Sequence, residues 1–180
     1  MRSTAHGSAT RAASRTSGSP PAGCANGCNV FLGVGNNKVY RYVPRRNDAV
    51  NDTWICDAGR LSYREIGAPD RLQGALARGA LGVLESVGIS PALDAAADRL
   101  RGVIERFGAA AIGGVASAQA SNEDLFVFRR FLDALGAGAS ALAVRLGEAD
   151  RLLVKAEKGP NGAGARRLGF GDPAALAAGG

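Results

Sequence analysis

The residues of this chain best suited to chemistry are its three cysteines, Cys24, Cys28 and Cys56. Cys24 and Cys28 enclose Gly27 in "GCANGC", and 27 residues separate Cys28 from Cys56 in "WICDAGR". Thiolates on glycine-containing loops suit an iron–sulfur cluster, because free backbone N–H groups there donate to sulfur and tune its potential. Zinc is a second reading of the same residues, although zinc and iron–sulfur sites ordinarily take four ligands and this chain offers three thiols. Packing is the third, since an unpaired cysteine often behaves as a small buried hydrophobe.

No other constellation competes. His6 is the sole histidine and lies in a tail of small polar residues, which excludes Ser–His–Asp and Cys–His arrangements. Glu123 and Asp124 form an acidic pair, but at a helix start, where the dipole accounts for them. "GVGNNK" reads as a hairpin turn. "KGPNGAGAR" reads as a strand-to-helix loop, because it lacks the Gly-Lys-Ser/Thr of a phosphate loop and no Gly-x-Gly-x-x-Gly opens the first βα unit.

The formal charge of +6 divides unevenly along the chain. Arg2, Arg11 and Arg15 supply half of the excess with no acid among residues 1–23, whereas residues 24–75 carry seven basic and five acidic groups, and residues 76–180 carry twelve and eleven. A nearly balanced, unclustered surface is not a phosphate-binding face, so nucleic acid is not an expected partner. No run approaches the roughly 20 apolar residues that span a bilayer, and no apolar segment near the N-terminus makes a secretory signal. With an odd cysteine count, a disulfide framework is not expected either, and the chain reads as cytoplasmic.

Three regions must position these groups. Residues 1–21 are a low-complexity tail that cannot bury enough surface to offset its ordering entropy, and they are expected to be disordered. Residues 22–74 read as a small, turn-rich β module. Apolar runs at Val30–Val34 and Val39–Val43 flank Gly35-Asn36-Asn37, whose tolerance of positive φ predicts a hairpin, and Pro44 ends its second strand. A short helix is expected after Cys56, with Trp54 and Tyr63 as packing residues that shield the thiols. Residues 75–180 change period. Ser90-Pro91 predicts a helix start with Pro at the first helical position and Leu93, Ala97, Leu100, Ile104 and Phe107 on one face. "AAAIGGVAS" reads as a strand. Ser121 and Asp124 cap a second helix with Leu125, Phe128, Leu132 and Leu135 inward and Gly136 as its stop. "SALAVRLG" and "RLLVKAEKGPN" read as two further strands. The expected fold class is therefore α+β to α/β, a β module followed by the start of an open doubly wound sheet.

The stretch from Gly23 to Leu72, "GCANGCNVFLGVGNNKVYRYVPRRNDAVNDTWICDAGRLSYREIGAPDRL", resembles the iron–sulfur module of molybdopterin oxidoreductase-like proteins. Within them it is most similar to the family of the large peripheral-arm subunit of NADH-quinone oxidoreductase, respiratory complex I. "VASAQASNEDLFVFRRFLDALGA" and "LLVKAEKGPNGAGARRLGF" resemble the same family in the same order, so the likeness spans about residues 22–171. The family pattern, Cys-x2-Cys-x3-Cys-x27-Cys, holds one 4Fe–4S cluster. The resemblance implies that Cys24, Cys28 and Cys56 are the second, third and fourth ligands. The first should stand at position 21, where this sequence has Pro21.

Three thiolates allow a 3Fe–4S cluster, a 4Fe–4S cluster completed by an outside ligand or by a serine such as Ser19, or an empty module kept for packing. A lysine that helps carry electrons in molybdenum members is replaced here by Ala58, which agrees with a protein that keeps the domain without using molybdopterin. The implied function is electron transfer within complex I, the implied partners are other peripheral-arm subunits, and the implied location is peripheral to the inner membrane, without insertion. The alternative is a non-redox scaffold remnant. The likeness stops upstream of residue 22, so the chain is expected to be a fragment or a shifted-frame product whose true frame resumes near Gly23.

Overall fold

The computed structural model describes residues 23–171. The expected tail, with His6, Ser19 and Pro21, lies outside the described residues, as does the stretch after Gly171.

The first half is built on a hairpin. Strand β1 (Val30–Gly35) pairs antiparallel with β2 (Lys38–Pro44). Asn36 and Asn37, at φ 47° and 58°, supply the two left-handed residues that a tight two-residue hairpin turn requires. Register slips between Gly33 and Val34, which leaves Tyr40 as the extra residue of a bulge. Pro44 is the last residue of β2, as expected. The chain then turns through Asn47–Asp52 into α1 (Asp57–Leu61) and a 3-10 turn at Ser62–Gly67. Tyr63 on that turn meets Tyr42 of β2 edge to face, with ring centroids 6.1 Å apart, and holds the two pieces together.

A second hairpin follows, β3 (Ala75–Arg78) with β4 (Leu84–Val87), where the sequence pattern suggested no strand. Both strands are four residues long and mostly exposed, so no alternation of buried and polar positions marks them; Gly82, at φ 77°, makes the turn. Helix α2 (Ile89–Phe107) begins two residues before the expected start, with Gly88 as its N-cap. Pro91 still sits in the first turn, where its missing N–H costs no helical bond. Of the expected inner face, Ala97, Leu100 and Ile104 are half-buried, whereas Leu93 and Phe107 are 62% and 64% exposed.

The core lies in the last third. Strands β5 (Gly113–Ser117) and β6 (Ala139–Ala143) are parallel, and α3 (Asn122–Leu135) crosses between them. Ser121 caps α3 reciprocally with Asp124, and Gly136 ends it in the left-handed conformation at φ 69°, both as expected from the sequence. Leu125 and Leu132 of α3 pack with Ala116, Ala118, Leu142, Ala165 and Phe170, and Phe128 stacks on Phe170 at 5.8 Å. Leu142 N–H donates to Gly171 O, so a third parallel strand enters the sheet beside β6 at the end of the described residues.

Two expectations fail here. Ala109–Ala111 is a 3-10 turn, and only Gly113–Ser117 of "AAAIGGVAS" is extended as a strand. "RLLVKAEKGPN" is not a strand. The Asp150 carboxylate accepts N–H groups from Leu152, Leu153 and Val154, which bends the chain back and forms the tip of a loop. The loop ends by feeding α4 (Gly162–Arg167) through Gly159, where a side chain would collide with Ala118. The architecture is mixed α+β.

Candidate metal centre

Cys24 and Cys28 lie on the irregular segment before β1, with Gly27 at φ 70° turning the chain between them. Cys28 is buried, 6% exposed, beside Val30 and Ile55. Its Sγ accepts from Asn26 Nδ2 at 3.2 Å, and the same amide reaches Val50 O.

Cys56 comes from the other direction, through a knot of polar side chains. Asn51, 3% exposed, accepts from Asn29 N–H at 2.9 Å and donates to Trp54 O at 2.9 Å and Arg45 O at 3.3 Å. The Arg45 guanidinium donates to Asn29 Oδ1. These bonds tie the loop that carries Cys56 to the start of β1, which follows Cys28. Cys56 is the N-cap of α1, and its Sγ accepts from Gly59 N–H at 3.3 Å.

Cys24 is reached by a segment far away in sequence. Its Sγ accepts from Lys155 N–H at 3.2 Å, and Ala25 N–H donates to Glu157 O at 2.9 Å. The stretch expected to be a sheet strand thus lies over the cysteine loop. Its tip also closes a cleft of about 690 Å³, lined by Cys56, Ile55, Trp54, Asn51, Asp150 and Leu153 among others. Trp54 is 70% exposed at the edge of this cleft, so the expectation that it is a packing residue shielding the thiols is corrected. Tyr63 does pack, but against Tyr42.

Burial pushes the Cys28 thiol pKa up, and negative charge on Cys56 and on Cys24 pushes it further, against a smaller opposing effect of the Asn26 hydrogen bond than of burial. The other two sulfurs are therefore within electrostatic reach of Cys28. Three thiolates cannot all ionise beside one another in a half-buried place without a cationic core to offset their repulsion. A 4Fe–4S core fits this donor set: three sulfurs, each already receiving one N–H. Among the described residues, no three His, Cys, Asp or Glu side chains gather closely enough to hold a single metal ion. Around one zinc ion thiolates would stand about 3.8 Å apart. A cubane is wider and takes its sulfurs from further apart, so the spacing weighs against zinc more than against a cluster.

Asn26, Asn51 and the Lys155 amide escaped sequence reasoning. The two asparagines sit among many Asn, Asp and Gly residues with nothing to single them out, and a contact between Cys24 and Lys155 has no local signature.

Residues 24–64 match the family described as NADH-ubiquinone oxidoreductase NDSU1/NuoG-like, 4Fe-4S domain. The NuoG-type NADH-quinone oxidoreductase protein of Pseudomonas putida is 35% identical over 62% of this chain and 11% of its own length. The NADPH-Fe(3+) oxidoreductase subunit alpha of Geobacter sulfurreducens is 31% identical over 69% of this chain and 14% of its own. The F420-dependent formate dehydrogenase subunit alpha of Methanocaldococcus jannaschii is 28% identical over 60% of this chain and 15% of its own. The chain thus spans about a seventh or less of the curated relatives it matches. No helix among the described residues is long and apolar enough to cross a membrane. With a 4Fe–4S domain at residues 24–64 and a likeness to NADH-quinone oxidoreductase proteins that runs well beyond it, the chain belongs to the NuoG-like family of iron–sulfur proteins.

Proposed function

We propose that this chain is an electron-transfer component in which Cys24, Cys28 and Cys56 hold an iron–sulfur cluster of the 4Fe–4S type. In this reading residues 22–74 are the cluster module, and residues 75–180 begin a molybdopterin oxidoreductase-like α/β domain that serves as scaffold. The single observation that supports it best is that every one of the three sulfurs accepts an N–H: Cys24 from Lys155, Cys28 from Asn26, Cys56 from Gly59. A neutral thiol is a weak acceptor and needs no such donor, whereas a thiolate ligand is stabilised by one. Three donors on three cysteines are what a thiolate site requires and what a packing role leaves unexplained.

A bound cluster would supply one-electron transfer, with no bond to substrate made or broken. The protein's own part is to space the sulfurs, to neutralise them with N–H dipoles, and to keep water from Cys28. The Pseudomonas relatives are, by name, components of NADH-quinone oxidoreductase. The same role here, beside other peripheral-arm subunits of complex I and at the inner membrane face, is the proposal for this chain. No molybdopterin is called for, because Ala58, exposed on α1, stands where molybdenum enzymes carry the lysine.

One observation favours a second reading. With Pro21 at the position of the first family ligand, the module can be a scaffold that binds no iron. Anaerobic reconstitution with iron and sulfide, followed by metal and sulfide analysis and EPR, separates the two. The proposal expects stoichiometric iron and sulfide and an EPR signal that Cys56→Ser abolishes. A wild-type chain that takes up neither iron nor sulfide leaves the scaffold.

A further inference from the structure

The loop between β6 and α4 is more ordered than a connection needs to be. Lys158 N–H donates to Arg145 O at 2.8 Å, Gly147 N–H to Ala156 O at 3.0 Å and Asp150 N–H to Val154 O at 3.0 Å, so residues 145–158 fold back on themselves as a narrow ladder. Two side chains lock its end. Asp150 Oδ1 accepts from the N–H groups of Leu152, Leu153 and Val154 at 2.9, 2.6 and 2.8 Å. These bonds hold the Asp150 carboxyl below the usual carboxylate range. Lys158 Nζ crosses the ladder and donates to Glu148 O and Lys155 O, each at 2.6 Å. Its chain lies over Gly147, where a Cβ would stand 2.8 Å from Lys158 Cε. At the base of the loop Glu157 pairs with Arg166 of α4 at 2.9 Å.

The two locks bracket one amide. Asp150 fixes the N–H of Val154, and Lys158 fixes the carbonyl of Lys155. The Lys155 N–H between them is the one that points out of the loop, to Cys24 Sγ at 3.2 Å. Ala25 N–H on Glu157 O, at 2.9 Å, keeps the loop seated on the cysteine segment.

We infer that Asp150 and Lys158 are positioning residues for the metal centre: together they hold the Lys155 amide on the Cys24 sulfur and thereby raise the reduction potential of the cluster bound there. This rests on the cluster reading proposed above. The direction follows from charge. The reduced cluster is the more negative state, so an N–H dipole aimed at a ligand sulfur stabilises it more than the oxidised one. Neither side chain touches a sulfur, and each acts through the backbone it restrains.

The test uses the full chain, with Lys158→Met removing one lock, Asp150→Ala the other, and Lys158→Arg keeping two-carbonyl donation. In reconstituted protein, an EPR-monitored redox titration is expected to show a lower midpoint potential for Lys158→Met and Asp150→Ala, with Lys158→Arg returning towards wild type. In the apo chain under reducing conditions, alkylation mapped by peptide mass is expected to be several-fold faster at Cys24 in the two disruptive variants, with Cys28 and Cys56 unchanged. Unchanged potentials in loaded variants, or equal acceleration at all three cysteines, overturns the inference. If wild type takes up no cluster, the cluster reading falls, and the Cys24-selective alkylation alone still decides whether these side chains hold the loop on the sulfur.

Discussion

Asn51 offers the sharpest perturbation, because one buried side chain links both arms of the cysteine site. It is 3% exposed, accepts from Asn29 N–H at 2.9 Å, and donates to Trp54 O at 2.9 Å and Arg45 O at 3.3 Å. In Asn51→Ala, two well-formed bonds disappear, each with a net worth of about 1 kcal/mol. The Asn29 N–H and the Trp54 carbonyl are then left partly buried without partners, at about 1 kcal/mol or more apiece unless water enters. The expected loss is about 2–4 kcal/mol. Trp54, the sole tryptophan, lies in the affected loop and reports on it. With a denaturant slope of about 2 kcal/mol/M, the fluorescence midpoint in urea should fall by about 1–2 M. Iron uptake on reconstitution should fall with it, since the loop sets where Cys56 sits relative to Cys28. Asn51→Asp should be no better, because it keeps the acceptor but turns a charged oxygen towards two carbonyls. A midpoint for Asn51→Ala within about 0.3 M of wild type would refute the reasoning and leave the knot without energetic weight.

Other expectations follow from single contacts. Pro21→Cys restores the family's first ligand, and iron content after reconstitution should rise towards a full cubane; no rise would show that position 21 does not reach the site. Gly114→Ala puts a methyl group against the Leu132 δ carbons in the core and should cost about 1–3 kcal/mol in urea unfolding. Adding Leu132→Val should recover part of that loss. Burial, with Glu65 charge second, raises the Tyr42 hydroxyl pKa. The stability this contributes is present below the ordinary tyrosine value of about 10 and is lost as pH rises through the higher folded value. Alkaline absorbance titration of Glu65→Gln should show Tyr42 ionising earlier than in wild type, yet still late, because burial remains.

What could be read from the sequence was whatever a few adjacent residues dictate. The Asn36-Asn37 turn, Pro44 at the strand end, Cys56 before a short helix and the Ser121–Asp124 cap with its Gly136 stop are set by local backbone chemistry, and each stands where the residues put it. Where tertiary context decides, local pattern misled. Apolar "RLLV" has strand composition, but the Asp150 carboxylate captures the following amides and makes a loop. The β3–β4 hairpin has too little buried surface to leave a period in its residues. At the site, the cysteines were legible by type and spacing and their donors were not. The Asn26 and Gly59 donors are near neighbours of the sulfurs they serve, yet "NG" and "AG" are ordinary loop dipeptides. The Lys155 donor comes from the other end of the chain.

The two halves differ in what holds them up, and this has a measurable consequence. The larger core draws all seven of its buried members from residues 116–170, closed by Leu125, Leu132 and Phe170. The cysteine module buries only Cys28, Val30, Ile55 and the polar Asn51. A unit of that size with so few buried apolar side chains is not stable on hydrophobic burial alone and needs a metal, a cross-link or a neighbour. It has a neighbour in the 145–158 loop, and metal binding would add directly to its folding energy, because ligands brought together by folding are also brought together by the ion. Hydrogen exchange should therefore show two tiers in the apo chain. Amides of β5, α3 and β6 should exchange slowly, and those of β1, β2 and α1 markedly faster. Loading with iron and sulfide should slow the second set and leave the first nearly unchanged. If the apo module is already as protected as the β5–α3–β6 core, its stability owes nothing to a cluster, and the three N–H donors are holding sulfurs that the fold never needed to gather around iron.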